Sequence, residues 1–257
     1  VTGGGLAYSQ VNILPLIQIA RFLGPYAVSF IVVMINVAIL ELLTERKADQ
    51  FSYVVLISII ILLFGFYRIS MFKPSGKPLS IAVIQANISQ DVKLDYGLAY
   101  EIVETHDRMS RQTLKLKPDM VIWPETAVTT YLFETRLIRS RIEKLVRESR
   151  TYYLIGTPYR NIDKIYNSVV AFSPDGNVIG RYDKQRLVPF GEYLPFRYIF
   201  YRMMQGNPLF AEDYNSNPKP VVIDIGGTKA GVVICFESTF PSFVRDKVKK
   251  GAKFILI

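Results

Sequence analysis

The chain has 257 residues, enough for one large domain or two small ones. Half of the residues are hydrophobic, and 31 Lys and Arg against 22 Asp and Glu give a formal net charge of +9. A basic excess suits an anionic partner, either nucleic acid or phospholipid headgroups. Since no RNA- or DNA-binding motif is present, we expect a membrane and no nucleic acid as the partner. One cysteine excludes an internal disulfide framework.

Both ends of the chain look cut. The sequence begins with Val1 instead of an initiator methionine, and it stops inside the apolar run 254–257. We therefore expect a fragment of a longer protein, truncated at both ends.

Residues 1–24 predict a loop, and two uncharged runs follow. The run 26–40, extended by three further residues, approaches the ~20 residues that span a bilayer. The second uncharged run, 51–67, lies beyond a short charged loop. These runs predict transmembrane helices near 25–43 and 51–68 within a membrane region of residues 1–72. A pair of buried helices in a soluble protein is the alternative.

Asn36 is a polar residue inside the first run. We expect it to form a hydrogen bond between helices of a bundle, as polar residues in membrane helices often do.

The segment 73–78, Lys-Pro-Ser-Gly-Lys-Pro, predicts a linker because it is rich in helix and strand breakers. Beyond it, over 79–257, strand and helix patterns alternate, and turn residues at 173–177 and 226–227 predict two hairpins. This order favours a mixed α/β domain rather than an all-parallel sheet. The predicted strands are 79–85, 120–123, 152–156, 166–172, 178–182, 221–225, 229–234 and 253–257, and the predicted helices are 95–116, 132–149 and 240–250.

Cys235 ends an apolar run that begins at Val232. The run predicts a buried strand, and a thiol at its C-terminal end would be held rigidly and face the loops where α/β proteins bind ligands. Free cysteine is also among the most buried residue types, so a buried, inert thiol is the competing interpretation.

Glu125 follows the predicted strand 120–123 and lies beside Trp123 and Pro124. A partly desolvated carboxylate is suited to general-base catalysis. A carboxylate in a turn or at a helix cap fits the same pattern equally well.

Lys184 follows the predicted strand 178–182, and Glu192 lies just beyond it in the loop Val-Pro-Phe-Gly-Glu-Tyr-Leu-Pro. The loop is rich in Pro, Gly and aromatic residues and poor in ordinary solvating residues. A solvated surface lysine is the alternative for Lys184, because lysines are rarely buried.

Together, Glu125, Lys184 and Cys235 offer an activated nucleophile. The thiolate is the reactive form of cysteine, and a nearby cation lowers its pKa. The carboxylate accepts and returns protons, and the ammonium stabilises a tetrahedral oxyanion. His106 lies in the middle of a predicted helix, where we expect a solvated face rather than a Cys–His pair. With one His and one Cys we expect no metal site, and we expect no cofactor.

The order of these residues, Glu125 in WPET, Lys184 in YDKQRLVPFGEYLP and Cys235 in CFES, resembles the Glu-Lys-Cys triad of the nitrilase superfamily. With the apolar hairpin before it, nearly the whole chain resembles the bacterial apolipoprotein N-acyltransferases of that superfamily. The resemblance implies an α/β fold, a nitrilase-like α-β-β-α sandwich that is incomplete at the C-terminus and preceded by a transmembrane helical hairpin. It also implies that Glu192 and Glu237 support the triad.

The implied reaction moves a fatty acyl chain from a membrane phospholipid, through a thioester on Cys235, to the N-terminal amine of an apolipoprotein with a diacylglyceryl-cysteine. The implied location is the bacterial inner membrane, in a multi-pass protein with its catalytic domain on the periplasmic side. Phe236 departs from the family pattern, in which the residue after the cysteine is often a tyrosine, and this removes a hydroxyl group.

The long loop 187–217 is rich in aromatic residues, which concentrate at membrane interfaces. We expect it to contact lipid through Phe190, Tyr193, Leu194 and Phe196, with Tyr198, Phe200 and Tyr201 also in the loop. An ordinary packed loop is the alternative.

Two other functions use the same features. A nitrilase-like amidase acting on a small C–N substrate would share the triad but would not need membrane spans. A non-catalytic membrane scaffold would retain the fold with an inert cysteine.

Overall fold

The computed structural model of the chain describes residues 5–46, 48–74, 76–197 and 213–257. The chain forms two compact units, Val1–Lys77 and Pro78–Ile257. The division falls at the end of the breaker-rich segment 73–78.

The first unit is helical. A 3-10 turn at Leu6–Gln10 and the short helices α1 (Leu14–Ile17) and α2 (Ala20–Leu23) precede two long helices, α3 (Pro25–Thr44) and α4 (Ala48–Ser70). Within the described residues, α3 and α4 are the two helices whose length and composition would allow them to cross a membrane. Most of their large apolar side chains are exposed, which lipid tolerates far better than water.

The predicted loop over residues 1–24 is wrong for its described part, which is largely helical. These turns are too short to show a helical period in the sequence. They pack tightly on the long helices: a side chain at Gly65 in α4 would overlap the backbone of Pro15 in α1. Glycine therefore allows the close approach of the two helices.

The predicted interhelical hydrogen bond of Asn36 is also wrong. Its side-chain Nδ2 donates to the carbonyl oxygen of Val32, one turn earlier in the same helix, at 2.7 Å. A short polar side chain reaches the carbonyl four residues back, so its own helix satisfies it.

The second unit contains a five-stranded sheet in the order β1-β2-β3-β4-β5. The first three strands are parallel to one another, and the last two pairings are antiparallel. Its strands are β1 (Ile81–Val83), β2 (Met120–Trp123), β3 (Tyr152–Asn161), β4 (Lys164–Phe172) and β5 (Val178–Asp183).

A second sheet contains β6 (Val222–Ile225), β7 (Thr228–Val232) and β8 (Phe254–Leu256). β6 and β7 form the predicted hairpin, and β8 runs parallel to β7. In the described residues of this unit, the α-helices are α5 (Gln90–Leu94), α6 (Ala99–Thr113), α7 (Arg136–Ser149) and α8 (Pro241–Lys249).

Alternating side chains of the five-stranded sheet build two cores, because successive residues of a strand point to opposite faces. On one face, Trp123 and Tyr153 pack with buried side chains of α6 and α7. On the other, Met120 and Leu154 pack against buried side chains of the second sheet, such as Ile223. Helix α8 packs on β7 from outside. The layers are therefore α-β-β-α, and the predicted fold class is confirmed.

Strand β3 is longer than predicted, because it continues through Pro158 to Asn161. Its pairing with β2 ends at Ile155, and beyond that point no strand of the described residues pairs with this edge. A proline, which lacks an N–H, is tolerated where only one edge is paired. β1 is shorter than predicted, at three residues.

Candidate active site

Glu125 lies in the turn that follows β2, with its side chain about a third exposed (36%). The turn passes very close to β3: a side-chain carbon at Gly156 would overlap the backbone of Pro124 and Glu125. The backbone N–H of Val128 also donates to the Gly156 carbonyl at 3.0 Å. A glycine in β3 thus lets the sheet hold the Glu125 backbone at a fixed place.

Lys184 directly follows β5 and is buried, with 1% of its side chain exposed. The solvated alternative is therefore wrong. Its Nζ lies 2.9 Å from Oε1 of Glu192 and 3.3 Å from Oε1 of Glu125. Burial by itself lowers the pKa of Lys184, but the hydrogen bond to Glu192 and the two carboxylate charges outweigh it and raise the pKa overall. Lys184 is thus a fixed ammonium ion.

Asn167, in the middle of β4, is a site residue that the sequence analysis missed. Its Nδ2 donates to Oε1 of Glu125 at 2.7 Å and to Oε1 of Glu192 at 2.8 Å. Its carbonyl accepts from the backbone N–H of Lys184 at 2.8 Å. Asparagine is depleted in strands, so an Asn inside a predicted strand was an available signal in the sequence.

Glu192 links the lysine loop to this group. Besides Lys184 and Asn167, its carboxylate accepts from the backbone N–H of Val188 at 2.9 Å. The Asn167 amide and the Lys184 ammonium thus each contact both carboxylates, those of Glu125 and Glu192, and offset the repulsion between their negative charges.

Cys235 begins a 3-10 turn, Cys235–Thr239, shortly after β7 ends at Val232. Its φ is +48°, a left-handed conformation that costs energy for a residue with a side chain. Cys235 is exposed, so the predicted alternative of a buried thiol is wrong. A side chain on a strained turn after a buried strand projects from the sheet, and this geometry is suited to a nucleophile.

The pKa of the Cys235 thiol is raised overall, although the Lys184 cation lowers it as predicted. Partial burial is the main cause, the charge of Glu125 adds to it, and the charge of Lys184 opposes it. A hydrogen bond with Glu125 raises the pKa further. A raised pKa favours the protonated thiol, with the Glu125 carboxylate beside it.

Glu237 is buried and accepts four hydrogen bonds. Oε2 accepts from the hydroxyl of Tyr182 and the backbone N–H of Ile234, each at 2.7 Å. Oε1 accepts from the backbone N–H groups of Gln185, at 2.5 Å, and Arg186, at 3.0 Å. This carboxylate thus ties the cysteine turn to the segment after Lys184. It positions both catalytic candidates through the backbone, which the sequence could not show.

His106 is buried, so its predicted solvated position is wrong. Its Nδ1 lies 2.8 Å from the Ile102 carbonyl oxygen, and its ring lies 5.1 Å from the Trp123 ring. Burial lowers its pKa, which keeps it neutral in the helix–sheet core. The face of helix α6 that carries His106 packs against the sheet. The charged residues next to His106 in the sequence gave no indication of this.

The predicted lipid-contact residues divide into two groups. Phe190 and Phe196 are exposed, at 57% and 67%. Tyr193 is half-buried, and Leu194 is buried at 5%, so Leu194 belongs to the packing of the domain. Tyr198, Phe200 and Tyr201 lie outside the described residues.

Residues 80–257 match the carbon-nitrogen hydrolase family. The chain belongs to this family. Residues 4–38 also match the apolipoprotein N-acyltransferase N-terminal domain. The second match covers α1, α2 and most of α3.

The chain is similar to proteins named apolipoprotein N-acyltransferase. The one from Geobacter metallireducens is 34% identical, over 100% of this chain and 52% of that protein. The one from Aquifex aeolicus is 34% identical, over 92% of this chain and 50% of that protein. The chain thus spans about half the length of these curated relatives.

Solved structures agree with the fold of the second unit. The NitN amidase from Neterenkonia sp. AN1 superposes with a TM-score of 0.53 at 16% identity, over 69% of this chain and 65% of that one. The carbon-nitrogen hydrolase from Helicobacter pylori G27 has a TM-score of 0.52 at 16% identity, over 69% and 58% of the two chains. At this identity the likeness concerns the fold alone.

Proposed function

We propose that the protein is an apolipoprotein N-acyltransferase that works through a Glu125-Lys184-Cys235 triad. The observation that carries the proposal is the contact between the buried ammonium of Lys184 and the carboxylate of Glu125. The charges of both groups shift the pKa of the exposed Cys235 thiol. The matches to proteins of that name, and the two apolar helices, support this reaction over the small-substrate amidase.

In the first half-reaction, Glu125 accepts the Cys235 proton and the sulfur attacks the carbonyl carbon of a phospholipid ester. Lys184 stabilises the oxyanion of the tetrahedral intermediate. When the carbon–oxygen bond breaks, Glu125 returns the proton to the leaving oxygen. Lysophospholipid departs, and the acyl chain remains as a thioester on Cys235.

In the second half-reaction, the N-terminal amine of a diacylglyceryl-cysteine apolipoprotein attacks the thioester. The carbon–nitrogen bond forms, Glu125 accepts a proton from the amine, and Lys184 again stabilises the oxyanion. The carbon–sulfur bond then breaks, and the proton returns to the Cys235 sulfur. These steps use side chains alone, so we propose no cofactor and no catalytic metal.

Lipid substrates fit the proposed location. We propose a membrane region over residues 1–72, a linker over 73–78 and a catalytic domain over 79–257, in a multi-pass protein of the bacterial inner membrane with that domain on the periplasmic side. Phe190 and Phe196 are exposed aromatic side chains in the loop after Lys184, and we propose that they contact lipid.

Intact-protein mass spectrometry tests the proposed reaction. The whole protein as its gene encodes it is mixed with phospholipid vesicles, beside a Cys235→Ser control. We expect a mass gain of one acyl chain that neutral hydroxylamine removes and that the control lacks. No adduct on a Cys235 that still reacts with a soluble alkylating agent would favour the amidase instead. A thiol inert to both would favour the non-catalytic scaffold.

A further inference from the structure

An aromatic ladder begins at the residue after the nucleophile. The rings of Phe236 and Phe240 lie 5.1 Å apart at 89°, and those of Phe240 and Phe243 lie 6.0 Å apart at 80°. All three side chains are only partly buried. Edge-to-face contacts between aromatic rings are stabilising. The three rings therefore form an ordered, partly exposed apolar wall next to Cys235.

Arg186 lies over this wall. Its guanidinium carbon is 5.5 Å from the centre of the Phe240 ring, a cation–π arrangement. Arg141 and Arg181, in the same unit, form ion pairs with carboxylates. Among the described residues, no carboxylate forms an ion pair with the Arg186 side chain. Its positive charge is therefore available to a ligand.

The backbone fixes this arginine near the nucleophile. Oε1 of Glu237 accepts from the Arg186 N–H at 3.0 Å, while Oε2 of the same carboxylate accepts from the Ile234 N–H at 2.7 Å. Ile234 directly precedes Cys235, so one buried carboxylate holds both the cysteine turn and the Arg186 backbone. The Arg186 backbone and the cysteine turn are thus held together by the same buried side chain.

We propose that Arg186 binds the phosphate of the acyl donor, with Phe236, Phe240 and Phe243 as the apolar wall for the glycerol and the adjoining acyl carbons. This inference rests on the proposed function and names a donor subsite within it. In a phospholipid only the glycerol separates the acyl ester from the phosphodiester. An ester placed at Cys235 therefore brings a negative charge close to the nucleophile. A guanidinium binds phosphate oxygens by charge-assisted, often paired hydrogen bonds.

The subsite predicts selectivity between acyl donors. The rate of Cys235 thioester formation is measured with phospholipid and with a p-nitrophenyl ester of the same acyl chain, which has no phosphate. In Arg186→Gln we expect the apparent KM for phospholipid to rise about tenfold to a hundredfold, as for the loss of a hydrogen bond to a charged group. The neutral ester should react as in the wild type, and Arg186→Lys should restore part of the affinity.

Arg136→Gln is the matched control, because it removes the same charge from an exposed position at the start of α7. It should leave both donors unaffected. The subsite would be overturned if Arg186→Gln and the wild type showed the same preference between phospholipid and the neutral ester. It would also be overturned if Arg186→Gln slowed thioester formation equally with both donors. A wild-type protein that forms the thioester from the neutral ester but never from phospholipid would overturn the proposed function itself.

Discussion

Charge balance at single residues sets the chemistry of the site. Lys184 carries one positive charge between two carboxylates, and the amide of Asn167 donates to both of them. The ammonium therefore remains protonated, and the Cys235 thiol beside Glu125 has a raised pKa. The site holds a proton on sulfur and a carboxylate next to it, which is the starting state for general-base attack.

Replacing Glu125 with Gln should separate ionisation of the thiol from catalysis. The substitution removes a negative charge that raises the pKa of Cys235, so that pKa should fall and alkylation by iodoacetamide at neutral pH should become faster. Acyl transfer should nevertheless slow about 10²- to 10⁴-fold, because the general base is lost.

Alkylation rates across pH, together with thioester formation, check this prediction. Glu134→Gln, at an exposed carboxylate, is the control and should change neither rate. Slower alkylation in Glu125→Gln would contradict the assigned electrostatics.

Lys247 is a second buried lysine, and it lies outside the triad. Its Nζ is 4.0 Å from the centre of the Tyr182 ring and 3.3 Å from Oε1 of Gln185. Burial lowers its pKa to about 8, although the charges of Glu237 and Asp246 oppose this and Lys250 adds to the lowering. The folded protein therefore releases a proton that the unfolded chain keeps up to about pH 10.5.

This difference predicts a pH-dependent effect of Lys247→Met on stability. Between about pH 8 and 10 the unfolded chain binds more protons at this position, so the Lys247 contribution to stability rises with pH. The melting temperature of the variant, relative to the wild type, should therefore fall as pH rises through this window. Lys249→Met, at an exposed position of the same helix, should show no such trend. A pH-independent difference for Lys247→Met would contradict the lowered pKa.

At the scale of elements, the site depends on where strands end and on how closely they approach. Glu125 follows β2, Lys184 follows β5, and Cys235 follows β7 in the other sheet. The packing of the two sheets brings these ends together, and Asn167 in β4 completes the group.

Gly156 in β3 should be essential for the position of Glu125. In Gly156→Ala the new methyl group would overlap the backbone of Pro124 and Glu125, so the turn that carries Glu125 must shift. We expect thioester formation to fall at least tenfold, since displacements of about 1 Å at catalytic groups have effects of that order or larger.

Gly97→Ala is the matched control. There the nearest atom to an added methyl is a side-chain oxygen of Asp95, which can rotate aside, so activity should be retained. Wild-type activity in Gly156→Ala would show that the turn tolerates the shift.

At the scale of the whole molecule, the proposed location predicts which segments face each side of the membrane. If α3 and α4 form a hairpin across the bilayer, the segment between them lies on the side opposite to the catalytic domain. In a Cys235→Ser background, Arg46→Cys should react with a membrane-impermeant maleimide only in inverted vesicles. Asp163→Cys, in the turn between β3 and β4, should react in cells with a permeabilised outer membrane.

Labelling of both positions from the same side would contradict the hairpin. Labelling of each from the side opposite to the one expected would place the catalytic domain in the cytoplasm.

The sequence alone determined the class of the molecule. Long uncharged runs, breaker residues and alternating apolar patterns are local signals, and they predicted the apolar helices, the α/β domain and the order of Glu125, Lys184 and Cys235. Short helical turns and the end of β3 were missed, because their limits depend on neighbours distant in the sequence.

Only the tertiary structure decided the environment of each site residue. Burial of Lys184, the raised pKa of Cys235, the bridging position of Asn167 and the four hydrogen bonds of Glu237 all arise from segments far apart in the chain. His106 shows the same limit, since its charged sequence neighbours gave no sign of the core that it faces. Desolvation and hydrogen bonding depend on which groups are close together in the folded chain. The sequence therefore identifies the candidate reacting groups, but the tertiary structure sets their protonation states.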